Sequence, residues 1–161
     1  ALLFNPTTVS VALIVGGVAM IAADRWLSRR ATIRDVDEIP MKPAMFVGFW
    51  QCMALVPGTS RSMSTILGGM IHGMTARTAA DFSFLLSVPV LGAATAYELL
   101  KEWHGLTEHV GIEALAVGLV ASFAVGWLSI AVFLKLLDRI GLAPFGIYRI
   151  VAGVAVAVSL T

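Results

Sequence analysis

Six residues of polar or helix-breaking type interrupt a long apolar stretch of the sequence: Pro57, Gly58, Thr59, Ser60, Arg61 and Ser62. Proline and glycine end a helix, while serine and threonine favour the start of the next one, so a helix is predicted to begin here. The first amides of a helix are unpaired and carry its positive dipole, and a guanidinium can bind two phosphate oxygens at once. This segment, the PGTSRS turn, therefore predicts a phosphate-binding site.

The arginine of the PGTSRS turn supports this interpretation, although a structural role stays open. An unpaired arginine deep in a membrane costs about 2.5 to 3.5 kcal/mol on insertion scales, so a retained one usually has a partner or a function. Helical spacing places Thr65 one turn above Arg61. In the structural alternative, the serines only cap a helix, and Arg61 reaches the membrane surface or pairs with a carboxylate.

The PGTSRS turn lacks several parts of a hydrolytic site. Phosphoryl transfer needs a nucleophile or an activated water, charge neutralisation, and usually a carboxylate for a metal ion or a proton. Arg61 and the helix amides provide the neutralisation, and the serine hydroxyls are candidate nucleophiles. Because no histidine or acid is evidently placed to activate a serine, the chain is predicted to supply only half of an active site.

The composition is typical of an all-α integral membrane protein, with 58% hydrophobic residues, 13% charged residues and a mean hydropathy of +0.90. A net charge of +1 gives no reason to expect a nucleic-acid partner. The single cysteine, Cys52, excludes an internal disulfide framework and a cysteine metal cluster. Because the sequence begins at Ala1 without a methionine or a leader peptide, we expect a piece of a longer protein.

The apolar segments predict a single membrane domain over residues 1–161. Residues 43–74 differ from the other segments, because the PGTSRS turn divides them into pieces of 14 residues (43–56) and 16 residues (59–74). Each piece is too short to span a membrane comfortably, which indicates a re-entrant helical hairpin with the PGTSRS turn at its tip. The predicted spanning helices are residues 8–27, 76–100, 113–134 and 145–160.

The basic residues agree with such a hairpin, because cytoplasmic loops and helix ends collect lysine and arginine. If residues 43–74 enter and leave the membrane on one side, eight of the 11 basic residues lie on that side. A full crossing would instead divide them between the two sides. The eight residues are Arg25, Arg29, Arg30, Arg34, Lys42, Arg77, Lys135 and Arg139.

Other candidate residues have mainly structural interpretations. Arg77 and Asp81 have the spacing of an i, i+4 ion pair at the membrane edge, which we favour over a functional role for Asp81. His72 has no second histidine or carboxylate at metal-ligand spacing. Small residues at helical spacing indicate packing surfaces: Gly69 and Gly73 in one helix, and Gly118, Ser122 and Gly126 in another.

The sequence around the PGTSRS turn resembles a known enzyme family, the undecaprenyl-diphosphate phosphatases. The similar run, residues 49–90, reads FWQCMALVPGTSRSMSTILGGMIHGMTARTAADFSFLLSVPV. A later segment, IYRI, with Tyr148 and Arg149, is similar too. The resemblance covers essentially the whole chain. It implies a multi-pass enzyme of the bacterial inner membrane that removes one phosphate from undecaprenyl diphosphate and recycles the lipid carrier of cell-wall synthesis, a function linked to bacitracin resistance.

The resemblance also implies roles for particular residues. The family is an inverted repeat with two re-entrant hairpins, and this chain resembles the C-terminal half. Ser60 and Arg61 match the serine and arginine that hold the diphosphate, which makes them the candidate catalytic residues. Met63 departs from the glycine that commonly follows this motif. The residues implied to bind phosphate are Gly58, Thr59, Ser60, Arg61, Ser62 and Thr65.

The other loop of the family, with a glutamate pair and a serine-threonine-glycine-histidine motif, has no counterpart in this sequence. The resemblance therefore implies a divalent cation, magnesium or calcium, with ligands and acid or base groups outside this chain. The implied partners are the polyprenyl diphosphate lipid and the membrane, and a homodimer is left open. This piece alone is not expected to be active.

Two alternatives to the phosphatase remain at this point. Broken helices that meet at the midplane also occur in transporters, so a transporter or flippase for a lipid phosphate or another anion is the second hypothesis. An inactive structural piece is the third. An acidic pair and a histidine in the missing N-terminal half would distinguish an enzyme from a carrier.

Overall fold

The computed structural model describes residues 5–109 and 111–159, and all regular structure in these residues is helical. Three short 3-10 segments, Ser28–Arg30, Val36–Glu38 and Gln51–Leu55, lie between the longer helices. The α-helices are α1 (Pro6–Trp26), α2 (Met41–Trp50), α3 (Arg61–Ile71), α4 (Ala76–His109), α5 (Ile112–Ile140) and α6 (Ala143–Val158).

Helices α1 and α6 pack against each other in opposite directions. The hydroxyl of Ser10 donates to the carbonyl of Gly153 at 2.6 Å. One and a half to two turns further along α1, Gly17 faces Gly146, so closely that a Cβ added to Gly17 would lie 2.5 Å from the Gly146 carbonyl oxygen. Small residues thus allow the two backbones to approach closely, as membrane helices often do.

The carboxylate of Asp24 joins the other ends of this helix pair. Its two oxygens accept hydrogen bonds from the backbone amides of Leu142 and Ala143, both at 3.2 Å. These amides begin α6, where a negative charge also complements the helix dipole. Asp24 therefore caps a helix that begins 119 positions further along the chain.

Helices α2 and α3 lie side by side and run in opposite directions. The ring of Phe46, in the middle of α2, packs at a tilt against the ring of His72, which follows α3, with 4.0 Å between the ring centroids. At the other end of α2, Trp50 covers Gly68, where an added Cβ would lie 3.0 Å from the indole. The segment from α2 to α3 is therefore a helical hairpin in its chain path.

The two ends of this hairpin contact different parts of the molecule. At its base, the amides of Thr32 and Ile33 both donate to the Gly73 carbonyl at 2.9 Å, so the loop after α1 pairs with the end of the hairpin. At its tip, Gly58 lies against α1, and a Cβ there would be 2.9 Å from Cα of Val9. The hairpin thus extends along α1 from the loop after that helix to its first turns.

Helix α4 is longer than the sequence predicts. The predicted end lies at residue 100, whereas the helix continues through its polar end to His109. Helical dihedral angles are interrupted at Glu102, with φ −110° and ψ 17°, and not at Pro89. The predicted end of the last helix, Leu160, lies outside the described residues.

Among the described residues, three helices are long and apolar enough to cross a membrane: Pro6–Arg30, Ala76–Glu102 and Ile112–Ile140. Helix α6 is apolar as well but shorter. The buried core lies around the hairpin and includes Val47, Met70 and Met74. By contrast, most side chains of α5 are exposed, and its Gly118 and Gly126 have no described neighbour within 4 Å of an added Cβ.

Candidate functional site

The PGTSRS turn ends at Ser60, which immediately precedes α3. Ser60 is exposed and adopts a φ of +64°, a left-handed conformation that residues other than glycine rarely adopt. Its side chain makes no capping hydrogen bond to α3. Backbone amides at the start of α3 are therefore not covered by a side-chain cap, and the Ser60 hydroxyl is free of that function. Such a helix start is suited to bind an anion.

Thr59 caps the preceding segment instead of the new helix. Its hydroxyl donates to the carbonyl of Val56 at 2.7 Å, and the carbonyl of Met53 lies at 3.0 Å. Its backbone amide also donates to Val56. These bonds hold the turn against the 3-10 segment Gln51–Leu55, and so they fix the direction in which α3 begins.

Arg149 of α6 supports the turn from the other side. Its Nη2 donates to the carbonyl oxygens of Gly58 at 2.7 Å and Thr59 at 3.3 Å. In the sequence, Arg149 stands out only as part of the IYRI resemblance, although an arginine in an apolar helix is itself a signal of a polar partner. The structure thus adds a residue that the predicted site did not include.

Two cavities adjoin the PGTSRS turn, and they divide the predicted site residues between them. Ser60 and Ser62 share a cavity of about 160 Å³ with Arg149. Arg61 lines the other cavity, of about 310 Å³, together with Gln51, Cys52, Ala54 and Leu55. Ser60 and Ser62 therefore line one cavity, and Arg61 lines the other.

Both arginines of the site have hydrogen-bonding capacity to spare. Nη1 of Arg61 and Nε of Arg149 are buried, and neither has a hydrogen-bond partner among the described residues. Neither side chain forms an ion pair with a described residue. Within the described part of the chain, the carboxylate partner allowed by the structural alternative for Arg61 is therefore not found. The free guanidinium nitrogen of Arg61, next to an uncapped helix start, is suited to bind an oxyanion.

Thr65 lies behind the turn. It is fully buried, and its hydroxyl lies 3.0 Å from the carbonyl oxygen of Arg61, 3.1 Å from that of Ser62 and 2.5 Å from the hydroxyl of Ser83. These contacts fasten the first turn of α3 to α4. The implied contact between Thr65 and a phosphate stays a prediction.

Met63, which replaces the family's common glycine, fits into a notch on α1. A Cβ added to Gly16 would lie 2.5 Å from the Met63 sulfur and 3.1 Å from Nη2 of Arg149. The methionine therefore occupies the space left by the missing side chain of Gly16, next to the arginine that holds the turn. The departure from the motif is accommodated within the helix α3.

Arg77 forms the predicted ion pair, which confirms the structural interpretation. Its Nε lies 2.8 Å from an oxygen of Asp81, and its Nη1 contacts Asp138 of α5 as well. The pair lies at the start of α4, beside the base of the hairpin, and not at the PGTSRS turn. It fastens α4 to α5 at that end of the molecule.

A divalent cation requires several acidic, histidine or cysteine ligands that lie close together. No three histidine, cysteine, aspartate or glutamate side chains in residues 5–102 and 111–159 come together as a metal site. The donor set of the PGTSRS turn is cationic and hydroxylic, which suits a phosphate and not a metal ion.

Comparison with known proteins shows similarity to one family and to relatives that share one name. The family described as "Bacitracin resistance protein BacA" matches residues 1–155. Proteins named undecaprenyl-diphosphatase are similar to this chain: 50% identity in Sorangium cellulosum, over 96% of this chain and 51% of that protein; 44% in Geobacillus kaustophilus, over 96% and 56%; and 44% in Wolinella succinogenes, over 94% and 59%.

These matches confirm the resemblance inferred from the PGTSRS turn and its surroundings. The chain spans about half the length of the curated relatives it matches. Because the family match extends over residues 1–155 of 161, the chain belongs to the bacitracin resistance protein BacA family, whose similar members carry the name undecaprenyl-diphosphatase.

Proposed function

We propose that the complete protein hydrolyses undecaprenyl diphosphate to the monophosphate and phosphate, and so recycles the lipid carrier of cell-wall synthesis in the bacterial inner membrane. The observation that carries this proposal is the unpaired guanidinium nitrogen of Arg61 beside an uncapped helix start, in a chain whose relatives are named undecaprenyl-diphosphatase. Those names favour hydrolysis over the transporter or flippase that the residues alone left open.

In this proposal, the chain contributes binding and charge stabilisation. Arg61 and the first amides of α3 hold oxygens of the diphosphate, and they stabilise the charge that grows on them in the transition state. Ser60 and Ser62 line the neighbouring cavity, and their hydroxyls are proposed to donate to the same diphosphate from that side, with Ser60 as the candidate nucleophile. Arg149 acts as a positioning residue, because it holds the turn through two carbonyls.

The remaining chemistry is assigned to the part of the protein outside this chain. A divalent cation, magnesium or calcium, would neutralise charge on the diphosphate, and acidic groups and a histidine would move protons. The described residues do not fit such an ion, so its ligands are proposed to lie in the other half of the protein. This chain by itself is proposed to be inactive.

The hairpin α2–α3 is proposed to be re-entrant, as half of an inverted repeat. Its base pairs with the loop after α1, and its tip lies beside the first turns of α1. A tip within the membrane is tolerated where it lines a polar cavity or is covered by protein, and here Gly58 and Thr59 are covered by Arg149. The distribution of basic residues supports the same arrangement.

The test is release of inorganic phosphate from undecaprenyl diphosphate by the complete protein in detergent, with and without a divalent cation. Arg61→Ala should lower kcat/KM by about a hundredfold or more, because an oxyanion-stabilising donor is lost. Arg29→Ala, which removes an exposed arginine far from the turn in sequence, serves as the matched control. Lack of release by the wild type, or a folded Arg61→Ala with normal turnover, would contradict the proposal.

A further inference from the structure

The cavity that holds Arg61 contains a second polar group without a partner. Oε1 of Gln51 is buried and accepts no hydrogen bond from any described residue, just as Nη1 of Arg61 is buried and donates none. Both side chains line the same cavity of about 310 Å³. Its other lining residues, Cys52, Ala54 and Leu55, offer little to either group. The residues that carry an unsatisfied acceptor and an unsatisfied cationic donor therefore line the same cavity.

The chain holds these two groups in a fixed relation. Gln51 directly follows α2, and its backbone N–H donates to the carbonyls of Phe49 and Val47. It is also the first residue of the 3-10 segment Gln51–Leu55. Thr59 then joins the end of that segment to the PGTSRS turn. Gln51 and Arg61 are thus placed by one continuous, internally bonded stretch of backbone.

A buried unsatisfied polar group destabilises the protein unless a ligand or water completes it. The acceptor on Gln51 needs an O–H or N–H donor, whereas Arg61 needs an anionic acceptor. A singly protonated phosphate offers both, because it carries ionised oxygens and one P–OH group. Sulfate has the same shape but is fully ionised at neutral pH, so it offers no donor to Gln51.

We propose that Gln51 is a specificity-determining residue that accepts a hydrogen bond from the protonated oxygen of a phosphate group held by Arg61. The inference rests on the proposed function, since it assigns the Arg61 cavity to the phosphate that is cleaved or released. It adds that this half of the site distinguishes a protonated phosphate from an oxyanion that lacks the proton. A site built to pair such a hydroxyl rejects the analogue without it, because its own acceptor is then left unpaired.

The test measures binding of sodium phosphate and sodium sulfate to the complete protein by isothermal titration calorimetry. Both titrations are made at neutral pH and constant ionic strength, with a chelator present so that binding does not depend on a metal ion. The variants are Gln51→Leu, which removes the acceptor, and Gln51→Glu, which keeps an acceptor of the same length and adds charge. Arg61→Ala reports the contribution of the cation.

The wild type should bind phosphate more tightly than sulfate. Gln51→Leu should weaken phosphate binding by about tenfold and leave sulfate binding within about twofold, so that the preference disappears. Gln51→Glu should weaken sulfate binding more than phosphate binding, which keeps or increases the preference for phosphate. Arg61→Ala should weaken the binding of both anions. If Gln51 had only a structural role, each Gln51 variant would instead change the affinities for both anions by the same factor.

Three outcomes would overturn the inference. Equal affinities in the wild type would show that the cavity does not recognise the proton. An equal loss of affinity for both anions in Gln51→Leu would mean that the carboxamide donates a hydrogen bond or only supports the fold. An unchanged preference for phosphate in that variant would mean that water satisfies Gln51. Because anion binding is measured without turnover, failure of the phosphatase assay would be distinguishable from failure of this inference.

Discussion

Two arginines act on the same turn in different ways. Arg149 donates to the carbonyls of Gly58 and Thr59, so part of its hydrogen-bonding capacity is used within the protein. Arg61 keeps a buried nitrogen without a partner among the described residues. The carbonyl oxygens of Gly58 and Thr59 point toward Arg149, whereas the start of α3 has no side-chain cap. One arginine therefore shapes the turn, and the other is available for the substrate.

Gly58→Ala should destabilise the protein and displace the turn. Gly58 has a φ of +90°, and an added Cβ would lie 2.9 Å from the backbone of Val9. The left-handed conformation alone costs a residue with a side chain about 1 to 2 kcal/mol, and the overlap with α1 adds to this cost. Thermal unfolding in detergent should show a lower midpoint, accompanied by lower phosphatase activity.

Gly48→Ala is the matched control for this prediction, because Gly48 lies within α2 and an added Cβ would have no described atom within 4 Å. Alanine is the better helix former, so the control should unfold at the same temperature as the wild type or slightly above it. A Gly58→Ala protein with the stability of its control would show that the turn does not require glycine.

Much of the site could be predicted at the level of residue types, but its geometry could not. The PGTSRS turn stands out because polar residues and an arginine interrupt an apolar stretch, and its place before α3 follows from local chemistry. The contact of Arg149 with Gly58 joins residues 91 positions apart, which no local pattern encodes. The division of Ser60 and Arg61 between two cavities likewise depends on how α2 and α6 pack around the turn.

At the level of elements, Asp24 acts as a helix cap that the sequence does not reveal. An aspartate before a run of basic residues is typical of a solvated loop, yet its carboxylate binds the first amides of α6. Asp24→Ala should lower the free energy of unfolding by about 1 kcal/mol, because two amides and the positive end of the helix dipole lose their partner. Chemical unfolding in mild detergent measures this loss.

Asp37→Ala is the corresponding control, because Asp37 is exposed and its side chain caps no long helix. Its stability should equal that of the wild type within the error of the measurement. If both variants lost the same stability, the effect would come from the negative charge on this side of the molecule and not from the cap on α6.

The apolar helices follow from hydropathy, whereas their ends do not. Residues 101–109 are polar, and α4 continues through them beyond the interruption of its dihedral angles at Glu102. Pro89 does not interrupt the dihedral angles of α4, since a membrane helix can accommodate proline when neighbouring groups satisfy the freed carbonyl. Hydropathy thus locates a span but does not set its length.

At the scale of the whole molecule, several helix ends and loops contact one another at one end of the structure. The loop after α1 pairs with the end of the hairpin, Arg77 of α4 contacts Asp138 near the end of α5, and Asp24 caps the start of α6. Basic residues cluster at the same end. We therefore expect this end to face the cytoplasm, while the connection between α4 and α5 faces the opposite side.

Cysteine labelling of membrane vesicles tests this arrangement. On a cysteine-free background, Asp37→Cys and Arg139→Cys should react with a membrane-impermeant maleimide from the same side, and Glu113→Cys from the opposite side. The re-entrant hairpin requires this pattern, because a segment that crossed completely would place residues 37 and 139 on different sides. Reaction of those two positions from opposite sides would therefore exclude the re-entrant arrangement.

The position of Cys52 makes the protein open to covalent inhibition. Its exposed thiol lines the cavity of Arg61 and Gln51. N-Ethylmaleimide should therefore abolish phosphate release, and inorganic phosphate should slow the reaction, whereas Cys52→Ser should resist the reagent. Equal inactivation of Cys52→Ser would place the sensitive thiol elsewhere in the complete protein.

A compound that combines an oxyanion with a mild electrophile would then be anchored beside the arginine and, under the proposed function, would block the recycling of the cell-wall lipid at its phosphate-binding step.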